Sequence, residues 1–182
     1  MSLKQAKSLI TEDRFWSLIE QGQGEVDVLK AVLEKLSDDE IFGYAYWWSY
    51  FNAMSYKSDL WAVAYIVMGG CSDDCFDYFR FWLVAQGEQV FKNAMQNADS
   101  LCDIFDDIED GDIPAQEDID YVAMEVIDER HGDDMYYEME AGYDDLIVPR
   151  PEIDFDWDED DEESLRQICP NTFDKWWDND RF

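Results

Sequence analysis

Apolar side chains recur along this chain at the three- and four-residue spacing of helices, and the two-residue alternation of a half-buried strand is weak throughout. Thr11 is placed to cap a first helix whose Phe15, Trp16, Leu18 and Ile19 gather on one side before Gly22 and Gly24 break it. From Glu25 to Leu36 the positions Val28, Leu29, Val32, Leu33 and Leu36 mark a second, amphipathic helix. Ser37-Asp38-Asp39-Glu40 fits a capping box, in which the Ser hydroxyl and the Glu carboxylate satisfy free amides, and opens a helix holding Ile41, Tyr44, Trp48 and Phe51.

Leu60–Met68 is an almost unbroken apolar run, too short to span a bilayer, that starts at Ser58 or Asp59 and ends at Gly69-Gly70. It should be the most buried helix. The next helix, Cys75 to Gln86, is prepared by Ser72-Asp73-Asp74 and stops at Gly87, so residues 58–87 read as an antiparallel hairpin. A helix around 88–97 follows, then one marked by Ile119, Val122, Ala123, Val126 and Ile127 that ends near Gly132. Residues 133–163 read as a loop anchored by Phe155 and Trp157, and Leu165, Ile168, Phe173, Trp176 and Trp177 as a last helical piece. The pattern predicts an all-α single compact domain of about seven or eight helices, centred on the 58–87 hairpin, with a loop-rich C-terminal part packed on it.

Charge changes the picture in the second half. Residues 1–98 hold 14 acidic and 8 basic side chains, whereas 99–182 hold 31 and 5. With 47% apolar residues and 16% aromatics, this acidity coexists with a real core, so it belongs to the surface. A strongly negative face repels nucleic acid and anionic membrane and attracts basic proteins or cations. No segment resembles a leader or a membrane span, which points to the cytoplasm. Cys71, Cys75, Cys102 and Cys169 include no C-x-x-C pair, which argues against a disulfide framework or a zinc site.

The stretch Asp59-Leu60-Trp61-Ala62-Val63-Ala64-Tyr65, followed by Gly69 through Leu83 (Gly-Gly-Cys-Ser-Asp-Asp-Cys-Phe-Asp-Tyr-Phe-Arg-Phe-Trp-Leu), resembles the bacterial family known as domain of unknown function 4240. The likeness runs from Asp13-Arg14-Phe15-Trp16 through Asp99-Ser100-Leu101 to Trp157–Glu163 and Pro170, and is weakest over 104–118 and 133–150. It implies a small cytoplasmic bacterial protein and brings no activity, ligand or catalytic residue with it.

Candidate chemistry falls in three places. Asp59, Trp61, Asp73, Asp74, Asp77, Arg80 and Trp82 put one guanidinium beside several carboxylates and two indoles, a set suited to a polar ligand or a peptide. The plainer reading makes Asp73 and Asp74 helix caps, Asp77 and Arg80 an intrahelical pair, and the indoles core. Asp106, Asp110, Gly111 and Glu117 occupy positions of a twelve-residue calcium loop. Ile108 and Pro114 depart from it, so no cofactor is expected, with a divalent cation the lesser alternative. The run Asp154–Glu163 suits weak cation binding or mimicry of a polyanion. His131, the lone histidine, reads as a cation at a helix C-terminus, and no nucleophile elbow or phosphate loop appears.

Two functions follow from this inventory. The first is a non-catalytic acidic module that binds a basic protein, as an immunity-type or inhibitory factor. The second is a small-molecule or metal-dependent enzyme with an Asp-rich pocket near Trp61 and Trp82. The pattern sets no oligomeric state.

Overall fold

The computed structural model describes residues 3–109 and 111–179. Among them the fold is all-α, with ten α-helices, four short 3-10 helices and one isolated bridge between Lys4 and Tyr143. The helices are α1 (Glu12–Gly22), α2 (Val26–Leu33), α3 (Asp38–Met54), α4 (Ser58–Met68), α5 (Asp73–Ala85), α6 (Glu88–Gln96), α7 (Val122–His131), α8 (Met135–Glu140), α9 (Glu162–Ile168) and α10 (Pro170–Trp176). No helix among the described residues is long and apolar enough to cross a membrane. The chain divides into two compact units, one of residues 1–53, 84–87 and 117–149, the other of 54–83, 88–116 and 150–182.

In the first unit the predicted caps form. The Thr11 hydroxyl accepts from the Arg14 amide at 3.1 Å. The Glu40 carboxylate takes the Ser37 amide at 2.9 Å while the Glu40 amide reaches back to the Ser37 hydroxyl at 3.4 Å. These reciprocal bonds occupy donors that a helix start leaves open. Residues 41–48 of α3 are buried on every side, as a helix that is apolar all round must be. Gly43 sits there because a Cβ would meet Leu9 and Ile10 at 3.0–3.1 Å. Two indoles of this helix keep their N–H groups satisfied, Trp47 on the Ile10 carbonyl at 3.1 Å and Trp48 on Asp120 at 2.7 Å.

One expectation holds here and one shifts. His131 ends α7, as its position suggests, and its Nε2 lies 2.9 Å from Asp38. Residues 135–140, expected as loop, form α8. This helix buries none of its residues and so leaves no periodic stripe in the sequence; its start is held by the Asp128 carboxylate on the Tyr136 amide at 2.7 Å and by Tyr136 against Phe42.

The second unit is built around α4, buried from Leu60 to Val67 except at Tyr65. Gly69, at φ +64°, closes it in the left-handed conformation that a side chain disfavours. The C-terminal piece is two helices rather than one, α9 and α10, split by Cys169-Pro170, and both pack on α4. Asp99, almost wholly buried, anchors α10. Its carboxylate accepts from the Thr172 amide at 2.8 Å and from the Asn171 amide at 3.1 Å, the open donors of a helix whose first residue is proline.

Candidate functional site

Helix α5 presents Phe76, Asp77 and Arg80 on one face, because positions three and four apart align along a helix. Arg80 has no exposed surface, and its guanidinium lies over the rings of Tyr56 and Phe76 at 5.1 and 5.2 Å. Asp77 bonds to it. The other Asp77 oxygen takes the Arg150 guanidinium at 2.7 Å, and Arg150 also lies over Tyr56, at 5.4 Å. Burial pulls the Arg80 pKa below its ordinary value, and the Asp77 charge acts in the opposite direction. A buried cation is tolerable only when a carboxylate and polarizable rings replace its water, and these residues supply both.

Around this network the rings continue. Trp61 stacks on Phe76 with centroids 4.5 Å apart, donates its N–H to the Cys71 carbonyl at 3.0 Å, and meets Phe155 edge-on at 5.3 Å. Trp157 donates to the Ser58 carbonyl at 2.9 Å and lies against Tyr65. Trp157 is thus an anchor, whereas Phe155 leaves 52% of its surface in water. Beside it run eight exposed carboxylates between Asp154 and Glu163, none of which forms an ion pair among the described residues. Burial first, and then Glu159 and Asp160, raise the Tyr65 phenol above its ordinary pKa.

The seven residues singled out from sequence do not form one cluster. Asp77 and Arg80 meet, with Trp61 one ring away across Phe76. Asp73 and Asp74 are exposed in the first turn of α5, where Ser72 supplies the capping hydroxyl at 3.3 Å from the Cys75 amide. Asp59 pairs with Lys57 at 3.0 Å and accepts from the Leu60 amide. Trp82 is buried elsewhere, against Phe79 and Phe105 at 5.6 and 5.7 Å.

Arg150, Tyr56 and Phe155 are absent from that sequence set. Arg150 had a signal: it is the lone Lys or Arg between residues 131 and 165, set between two prolines.

The calcium-loop positions fare differently. Asp106 pairs with Lys175 at 2.5 Å, and Lys175 also holds Asp103 at 3.0 Å. Asp110 lies outside the described residues, and Glu117 is exposed. Among the described residues no group of three or more His, Cys, Asp or Glu side chains could hold a metal ion. A cleft of about 530 Å³ in the second unit is lined by Asp99, Cys102, Asp103, Asn171, Asp174 and Lys175, and not by Asp73, Asp74 or Asp77. Its charged groups are already engaged: Asp99 by the start of α10, Asp103 by Lys175, and Asp174 by Arg166.

Comparison with curated proteins and with solved structures finds no match. A family profile does match, over residues 10–129, and so stops short of the likeness expected at Trp157–Glu163 and Pro170. The profile covers well over half of the chain, which therefore belongs to the family described as Protein of unknown function (DUF4240).

Proposed function

We propose that this chain is a non-catalytic acidic module of the cytoplasm that binds a basic partner protein, as an immunity-type or inhibitory factor does. One observation carries the reading: the eight exposed carboxylates of Asp154–Glu163 stand without a cation among the described residues, next to a half-exposed phenyl ring. Like charges held this close repel, and a cationic surface relieves that repulsion while steering its own approach. Phe155 offers the apolar contact that a charge strip lacks. A row of anions spaced along a chain also imitates a polyanion backbone, so a groove that normally holds nucleic acid is a suitable counterpart, and nucleic acid itself is not.

The test is a pull-down of the tagged full chain from its own cell lysate, washed at low and then at high salt. A basic protein captured in stoichiometric amount, released by salt, and not captured by a chain carrying Asp158→Asn, Glu159→Gln, Asp160→Asn and Asp161→Asn supports the reading. A folded bait that captures nothing at low salt overturns it.

A further inference from the structure

The turn between α4 and α5 brings two thiols together. Cys71 Sγ and Cys75 Sγ are 3.0 Å apart, closer than simple packing of two sulfurs requires, and the Sγ of Cys75 also lies 3.8 Å from the Met68 sulfur. Both cysteines are partly exposed, whereas Cys102 and Cys169 are buried. Forming a bond would need a contraction of only about 1 Å. The turn can accommodate it: Gly69 and Gly70 hold positive φ angles, and an added Cβ on either would meet nothing within 4 Å. The Trp61 indole N–H holds the Cys71 carbonyl at 3.0 Å, which tethers the backbone that carries the Cys71 thiol.

We propose that Cys71 and Cys75 are a redox-active dithiol site, with a hydroperoxide as the oxidising substrate and an intramolecular disulfide as the product. The two sulfurs have different roles. Cys75 stands in the first turn of a 13-residue helix with its amide turned to the Ser72 hydroxyl, and it accepts the Cys71 S–H. That bond lowers the Cys75 pKa, and the same bond, with burial and the charge of Asp73, raises that of Cys71. Cys75 is therefore the attacking thiolate and Cys71 the resolving thiol. Cys75 attacks one oxygen of hydrogen peroxide, the O–O bond breaks, and hydroxide leaves, giving a sulfenic acid at Cys75. Cys71 then attacks that sulfur; its proton and the sulfenic hydroxyl depart as water, and the earlier hydroxide takes up the proton that Cys75 had lost. Two thiols and one peroxide yield one disulfide and two waters, and an external thiol reverses the change.

The full chain is treated with hydrogen peroxide, alkylated after denaturation, and weighed intact and as peptides. The expected result is a mass lower by two hydrogens, two alkylation sites lost, and a peptide joined through Cys71 and Cys75, with Cys102 and Cys169 still alkylated and dithiothreitol restoring all four. In Cys71→Ser a sulfenic acid at Cys75 is trapped by dimedone. In the untreated parent, Cys75 is alkylated at neutral pH at least about tenfold faster than Cys71. Four cysteines that all remain alkylatable after peroxide, or a disulfide that joins a different pair, overturns the proposal. The parent's masses decide the matter even if a variant does not fold.

Discussion

At Asp77 one carboxylate is shared between two guanidiniums, Arg80 wholly buried and Arg150 half-exposed, under the ring of Tyr56. Along Asp154–Glu163, in the same unit, eight carboxylates face water with no cation among the described residues. In both places carboxylates stand beside aromatic rings, yet the first group has exchanged its water for partners and the second has kept it. A buried pair is costly to break because one charge is then left stranded, whereas an exposed charge adds little to stability and stays open to a partner. The comparison separates charges that hold the fold from charges that are free to act.

The largest effect should come from Arg80→Ala, which leaves the Asp77 carboxylate facing the emptied space beneath Tyr56 and Phe76. A loss of about 3–5 kcal/mol in denaturant unfolding is expected. Arg80→Met, which keeps the volume while Arg150 still neutralises Asp77, should lose clearly less. If the two lose equally, the lost guanidinium and not the lost volume sets the cost. Asp99→Ala comes next, at about 1–2 kcal/mol, since it exposes the open amides of α10. Hydrogen exchange at Asn171 and Thr172 should rise with it. Arg150→Ala should cost about 1 kcal/mol or less, because half of that side chain is already in water. Last, the fourfold neutralisation within Asp158–Asp161 should change stability by no more than about 0.5 kcal/mol. Because those charges repel, any shift should be a gain that fades as salt is added. A loss near that of Asp99→Ala would show that the strip is structural and would remove the contrast.

The helix starts were readable from sequence because their signals are local. Thr11 and the Ser37–Glu40 box act within three residues, and the glycines at 22, 24, 69 and 70 each fall at a helix end. The Asp77–Arg80 pair was equally readable from its spacing. What sequence could not convey was the depth of Arg80, because that depends on Tyr56 and on Arg150, brought 73 residues along the chain to the same carboxylate. Asp99 is a similar case: it reads as one more acid in an acidic half, and only its distance from Thr172 makes it a cap. The thiol pair escaped a search for C-x-x-C because its members stand four residues apart, on either side of the start of α5, and only the fold there brings them into contact. Helix α8 left no stripe because it buries none of its residues.

The second unit is assembled from three stretches of chain, and its last one, 150–182, carries Arg150, Asn171 and Thr172. During synthesis every segment of the first unit has been made once residue 149 is added. Asp77 and Asp99 must wait for Arg150, Asn171 and Thr172, which the ribosome has not yet joined. At about 5–20 residues per second, adding the stretch 150–182 takes about 2–7 s, and the half-built state stands at least that long. In that interval Leu60–Val67 has neither α9 nor α10 to cover it. A nascent chain arrested near residue 150 should therefore be a better chaperone client than the finished protein.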